Sequence, residues 1–417
     1  MINKVIKPCF LILIIMSSIS HMLNAQGFTS SPYSVFGIGM SENIGFSENV
    51  GMGSAGVAMP SKSGLNALNP ASYSSLNNLD FQFNIGMFAK ISNYESQMEK
   101  EKGIGMGFRY LALGFKPLKR WGCSVGISPF SSRGYMILTE NPIEGNLDKF
   151  KSMIQGSGSI NQFYFSNSIE LLKGFSAGIN ASYLFGPLKQ EEKIIYQNIG
   201  LNDISIVSTN YFKNFYFDFG IQYHYNTNKH GYYFGLTYKP NQNLEADYDK
   251  VITLNMDTID IKTEGNNTFK LPTSFGLGFG YSYKNTLKIY SDFNLEKWSR
   301  SKYHYKTAKL VDCWKLNFGI ELNPSNGEGI RYRDHITYRI GYRYNKSNLE
   351  VRSTQLSESA ISAGLSLPIR GQRSKINMSF EFGKQGTAEN RLIKENYFRF
   401  MLGFELHDNW FMRYKYD

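Results

Sequence analysis

The feature that most narrows the fold is a period of two. From Asp80 onward, segments of about ten residues alternate apolar with polar or glycine residues, as a strand with two unlike faces requires. Phe81, Phe83, Ile85 and Met87 interleave with Gln82, Asn84 and Gly86. Phe215, Phe217, Phe219 and Ile221 interleave with Tyr216, Asp218, Gly220 and Gln222. Phe275, Leu277, Phe279 and Tyr281 interleave with Gly276, Gly278, Gly280 and Ser282. The same rhythm runs through Ile336–Arg343 and Phe398–Leu406.

It predicts fourteen strands: 80–90, 105–116, 121–130, 161–171, 174–186, 212–225, 230–240, 272–283, 286–297, 313–322, 334–345, 358–367, 374–384 and 396–406. Their connections alternate. The turns 117–120, 172–173, 226–229, 284–285, 323–333 and 368–373 fall between the longer stretches 91–104, 131–160, 187–211, 241–271, 298–312, 346–357 and 385–395. An outer-membrane barrel has such alternation, with periplasmic turns and extracellular loops, whereas a soluble sandwich has no reason for it. The Phe-rich faces carry no Lys, Arg, Asp or Glu. A slip of one residue in 334–345 would turn Arg339 and Arg343 into lipid, at about 2–4 kcal/mol each near the midplane. Hydrocarbon also requires the sheet to close, because an open edge leaves backbone groups unpaired. Trp121, Tyr223, Tyr225 and Tyr283 lie beside short turns, as an interfacial aromatic girdle would. The fold expected is all-β: an antiparallel transmembrane barrel of about fourteen strands, residues 80–406, with a tail 407–417 and both termini periplasmic.

Composition supports this and excludes other classes. Hydrophobic residues make up 42% of the 417, too many for a disordered chain. Three Cys are too few for a disulfide-stapled fold, and Cys123 and Cys313 are either free or a single bridge. The only long apolar run is Phe10–Met16, behind Lys4 and Lys7 and ahead of Leu23-Asn24-Ala25. Residues 1–25 therefore read as a signal peptide, too short to span a bilayer. The net charge of +11 is spread without a Lys/Arg run, so nucleic acid is not an expected partner.

Residues 26–79 break the pattern. They are rich in Gly, Ser and Asn. Fourteen strands enclose more space than their own side chains fill, so this segment is expected to enter the lumen as a plug. Gly276, Gly278, Gly280, Ser362 and Gly364 are expected to make room for it. Gly51, Gly53 and Gly56 match G-x-G-x-x-G, but no strand precedes and no βαβ unit follows, which excludes a dinucleotide site.

The stretch Met52–Ala58 followed by Leu68-Asn69-Pro70-Ala71 resembles the N-terminal hatch of the FadL long-chain fatty-acid channels, with their Asn-Pro-Ala signature. Ser128-Pro129-Phe130-Ser131 is similar to that family's Pro-Phe-Gly segment, with Ser131 in place of Gly, and Leu271–Gly276 resembles the Leu-Pro opening of a later strand. Ser31–Gly39 and Trp410–Asp417 look like Bacteroidota members of the group. The resemblance implies a plug built on Gly53, Gly56, Asn69, Pro70 and Ala71. It implies a lateral opening at the third strand, where Pro129 and Phe130 lie. Proline lacks a ladder donor, so the sheet must break or bulge beside it.

No His-Glu-x-x-His, zinc-spaced Cys pair or Gly-x-Ser-x-Gly is present, so no catalytic, metal or cofactor site is expected. Inward positions carry Arg109, Arg339, Arg343 and Arg399 beside Asp218, Asp292, Glu296, Glu381 and Glu405. The arginines are candidates to orient a ligand carboxylate, although a structural network with the acids is the favoured reading. The function implied is passive uptake of hydrophobic or amphipathic small molecules such as long-chain fatty acids. The alternative is a docking barrel of a secretion or assembly machinery, of the PorV type, meeting protein partners through its long loops or periplasmic side.

Overall fold

A computed structural model describes residues 31–42, 45–62, 64–97, 99–142, 149–196, 203–254, 263–301, 308–324, 331–369 and 373–409. The signal peptide, residues 26–30 and residues 410–417 lie outside the described residues. All fourteen expected strands form one antiparallel wall. They are β1 Asp80–Glu95, β2 Lys100–Leu118, β3 Trp121–Ser132 continued by Tyr135–Pro142, β4 Lys149–Leu172 and β5 Phe175–Tyr196. Next come β6 Ile204–Asn226, β7 His230–Lys239 continued by Gln242–Leu254, and β8 Thr263–Leu271 continued by Ser274–Tyr283. The wall is completed by β9 Leu287–Glu296, β10 Cys313–Leu322, β11 Thr337–Val351, β12 Thr354–Pro368, β13 Lys375–Gln385 and β14 Lys394–Asn409. β14 pairs with β1 from Lys394↔Glu95 to Asn409↔Asp80, so the sheet returns to its start.

The register is the one lipid demands. Phe215, Phe217, Phe219, Ile221, Leu277, Phe279, Ile340 and Tyr342 are exposed on the outer face, while Arg339 and Arg343 are buried inside. Trp121, Tyr223, Tyr225 and Tyr283 are exposed beside the short turns.

Five expected loops are largely strand instead: in 91–104 and 346–357 the flanking strands simply run on, and in 131–160, 187–211 and 241–271 the chain builds a further sheet. Tyr135–Pro142, the first half of β4, the second half of β5, the first half of β6, Gln242–Leu254 and Thr263–Leu271 form a six-stranded sheet that prolongs the wall past the long-loop end. Its period-two signal is weak in sequence because, beyond the hydrocarbon band, neither face must be continuously apolar. On one face, Ile137↔Ile154 and Ile206↔Ile252 share a register row with Glu192, and the next row holds Ile194↔Ile204↔Leu254.

Cross-strand tyrosines cover several wall glycines. Tyr110 lies over Gly86, Tyr164 over Gly126 and Tyr397 over Gly383. An aromatic ring over a neighbouring glycine restores the packing that the missing side chain forfeits. The same device changes the expectation for 276–280. Gly280 faces Tyr290 and Tyr233, and Gly276 faces Thr237 and Asn294, so only Gly278 of that stripe faces the plug. Cys123 and Cys313 are both free and buried.

Candidate functional site

The described residues of 31–79 lie against the inner face of the wall as short turns: a 3-10 turn Pro32–Val35, a two-residue strand Met40–Ser41, a helix α1 Ser47–Gly51 and a 3-10 turn Pro70–Ser75. A stack of wall glycines lets this backbone approach. A Cβ on Gly341 would lie 2.0 Å from Gly53 N, on Gly235 2.1 Å from Val57 O, on Gly178 2.5 Å from Pro70 C, and on Gly122 2.0 Å from Tyr73 O. Gly364 meets Gly51 in the same way, and Ser362 Oγ accepts the Gly53 N–H at 2.9 Å.

The motif residues are fasteners. Gly53 takes φ +64°, and a side chain there would strike Tyr342. Asp292 Oδ2 accepts the N–H groups of Gly56 at 2.6 Å and Val57 at 2.9 Å. Asn69 Oδ1 caps the 3-10 turn by accepting from Ala71 N–H at 3.0 Å. Its Nδ2 donates to Val57 O at 2.8 Å and to the wall carbonyl of Ile221 at 3.1 Å. Pro70 opens that turn against Gly178, and Ala71 O accepts from Ser168 Oγ at 2.8 Å. Periodicity picks out Asp292 as inward, but nothing local in sequence says that it holds the plug.

All four arginines are committed to carboxylates. Arg343 bonds Glu358 and Glu381 at 3.0 Å each, and Arg399 bonds Glu381 at 2.8 Å. Arg339 bonds Glu321 at 2.8 Å and Glu48 of the plug at 3.3 Å. Arg109 pairs with Glu42 of the plug at 2.5 Å. Buried charges of this kind need such partners. The arginines tie wall to wall and wall to plug, and none is left free for a ligand carboxylate.

The wall carries a seam. β2 pairs with β1 from Lys100↔Glu95 to Phe115↔Phe81, but with β3 only from Leu118↔Trp121 to Leu111↔Ile127. Lys100–Tyr110 has no ladder partner on that side among the described residues, and Pro129 begins a bulge in the β3–β4 ladder at the same level. The plug enters here. Met40↔Ser132 and Ser41↔Ser131 pair antiparallel with the freed edge of β3, and Glu42 N–H donates to Phe130 O at 3.0 Å. Glu42 then crosses to β2: one carboxylate oxygen accepts from Ser132 Oγ, the other from Arg109. One side chain thus clasps both lips of the seam.

Two cavities flank the clasp. The larger, about 2040 Å³ including its open mouth, lies between the plug and the long-hairpin end. Phe130, Tyr216, Leu271, Trp298, Leu310 and Leu356 supply an apolar wall, and Phe130 meets Tyr216 edge-on at 5.6 Å. Lys239 faces this space with no carboxylate in ion-pair range among the described residues, a cation the sequence reading passed over. The residues Ser31–Met40 roof the cavity. Tyr33 Oη donates to Ile393 O at 2.6 Å, so the first described residues lie at the long-hairpin end rather than with the short turns. The smaller cavity, about 480 Å³ including its open mouth and with room inside for only a few waters, lies directly behind the seam and is bounded by Arg109, Tyr110, Ser128 and Pro129 from its lips.

Against known proteins, the family model described as BamG matches residues 1–417, the entire chain. None of the curated proteins matches it in sequence. Among solved structures, the toluene transporter TbuX of Ralstonia pickettii superposes with TM-score 0.58 at 13% identity, covering 92% of this chain and 99% of that one. The toluene transporter TodX of Pseudomonas putida gives 0.55 at 13% identity, over 88% and 98%. A FadL homologue of Pseudomonas aeruginosa gives 0.53 at 11%, over 87% and 98%. At these identities the likeness is one of fold.

Proposed function

We propose, from the premise that the chain belongs to the BamG family and carries the plugged FadL-type barrel, that it is an outer-membrane passage for hydrophobic or amphipathic small molecules. The observation that carries this reading is the seam. A wall in hydrocarbon leaves backbone unpaired only where it lines a cavity, and here the ladder stops beside one. A molecule enters the apolar cavity under the Ser31–Met40 roof, where Lys239 offers a charge to an acidic head. It leaves sideways through the seam when the Met40–Glu42 segment moves aside. The plug itself need not leave the lumen. TbuX and TodX are toluene transporters, which agrees with an apolar cavity, and long-chain fatty acids fit the same cavity with Lys239 as counter-charge. The test is uptake of a labelled fatty acid or arene by cells carrying the protein, compared with cells carrying a Lys239→Gln, Phe130→Ala variant. A rate no higher than in cells without the protein overturns the reading.

A second reading is a docking barrel of an outer-membrane secretion or assembly machinery. Two observations favour it. The family that spans the whole chain is BamG, while the transporters share only fold. The six-stranded outer sheet also presents rows of half-buried isoleucines with no second layer over them among the described residues, and apolar sheet faces of this kind are commonly interaction surfaces. Pull-down in mild detergent separates the readings: stoichiometric protein partners support docking, and a lone barrel with lipid supports passage.

A further inference from the structure

We propose that the short-turn end of β6–β8 binds the phosphate of an anionic phospholipid between Lys229 and Lys284, with the lipid's glycerol and upper chains against the tyrosines beside them. The inference holds under either reading above, because both place the barrel in an outer membrane. Short turns of such barrels face the periplasm, so the lipid is one of the inner leaflet. Charge singles out this end. The six short turns hold nine Lys or Arg and a single acid, Glu328. The longer stretches mix the signs: 91–104 holds Glu95, Glu99 and Glu101 with Lys100 and Lys102. The excess is sharpest at β6–β8, where residues 219–244 and 265–291 contain no Asp or Glu. Lys229 and Lys284 are exposed there, and neither has a carboxylate in ion-pair range among the described residues. Their turns are tied together, Lys284 N–H donating to Lys229 O at 2.6 Å, so two like charges sit on adjoining turns. Lys284 and Asn285 both take positive φ, +50° and +54°, the two-residue hairpin geometry that favours Asn-Gly. Lysine at the first position is a poor choice for the turn itself, and beside Lys229 it is repelled. A shared anion offsets that repulsion.

The surface next to the lysines is membrane surface. On the outward face, Tyr225, Tyr232 and Tyr281 share one register row, and His230 pairs with Tyr283 one step nearer the turns. Their rings are contiguous. Tyr232 lies 5.6 Å from Tyr281, His230 lies 5.5 Å from Tyr283, and His230 Nδ1 is 2.9 Å from Tyr281 Oη. Lys284 Nζ lies 5.4 Å from the centre of the Tyr283 ring, which sets its charge at the level of the girdle. Aromatic rings of such a girdle sit among lipid heads. The same face continues into Phe234, Leu236, Leu277 and Phe279, exposed toward hydrocarbon. An occupant that covers both parts must be polar at one end and apolar along the rest, as a lipid is and an acidic peptide is not. A zwitterionic head would bring an ammonium group to a place with two lysines and no acid. The geometry therefore selects a head of net negative charge.

The full-length protein in mild detergent is titrated separately with dioleoyl phosphatidylglycerol and dioleoyl phosphatidylethanolamine, and retained lipid is read by native mass spectrometry. Wild type should hold phosphatidylglycerol about tenfold more tightly. Lys229→Gln with Lys284→Gln should remove that preference, and Lys229→Arg with Lys284→Arg should keep it. Lys213→Gln, at an exposed lysine toward the other end of β6, should leave it unchanged. Strand content by circular dichroism guards against a folding artefact. Equal retention of the two lipids by wild type overturns the inference, as does a double Gln variant that still prefers phosphatidylglycerol. Loss of a co-purifying acidic protein from that variant, with the lipid preference intact, overturns it in favour of a protein partner.

Discussion

At the scale of the residue, three buried side chains decide how the plug is held. Asp292 accepts two plug N–H groups through one oxygen. Asp292→Ala leaves both donors buried and unpaired, which costs about 2–4 kcal/mol. The plug should then become protease-sensitive, with the wall intact by circular dichroism. Asn69 joins the turn it caps to a wall carbonyl, so Asn69→Ala should act in the same direction. Glu48 adds a pH dependence. It lies on α1 between Arg339 and Glu405, with Lys375 and Glu321 further off, and one of its oxygens has no hydrogen-bond partner among the described residues. Burial, only partly offset by Arg339, pushes its carboxyl up to about 7 from an ordinary 4.5. A carboxyl whose value rises on docking takes up a proton as the plug docks. Its contribution is therefore complete below the ordinary value and lost as pH rises through the docked value. Plug protection measured by limited proteolysis should fall between about pH 5 and pH 8, and Glu48→Gln should flatten that slope.

At the scale of the element, the wall strands were legible because lipid enforces their alternation, and one slipped residue would cost more than local preference can supply. The outer extensions were not, since both faces of that sheet leave the hydrocarbon and the alternation fades. The Asn69-Pro70-Ala71 turn was legible as a motif. Its use as a fastener was not, because Ile221 and Gly178 lie far away in sequence. Gly276 and Gly280 show the same limit: the stripe marks space, but cross-strand residues, Tyr290 and Tyr233 among them, decide what fills it. The wall glycines give a paired prediction. Gly341→Ala would place a Cβ 2.0 Å from Gly53 N and should loosen the plug by about 1–3 kcal/mol. Gly265→Ala, with nothing within 4 Å, should change neither plug protection nor the unfolding midpoint. Pro129 announced a break from its missing N–H. The length of the seam, and the clasp by Glu42, depend on pairings that no local pattern contains.

At the scale of the whole molecule, the barrel is asymmetric. One side rises into the outer sheet, and that sheet's edge strand, Tyr135–Pro142, continues upward from the seam. The plug joins the two functions a gated passage needs, since Ser31–Met40 roofs the large cavity and Ser41–Glu42 closes the seam below it. The arginines, for which the sequence favoured a structural network over ligand contact, pair with carboxylates of wall and plug. The most direct measurement staples the gate. Ser41 and Ser131 are opposed in an antiparallel pair, a spacing that accepts a disulfide. In a Ser41→Cys, Ser131→Cys variant, uptake of a labelled fatty acid should stop on oxidation and return on reduction to the wild-type rate. Equal uptake by the oxidised and reduced forms would contradict a passage gated at the seam.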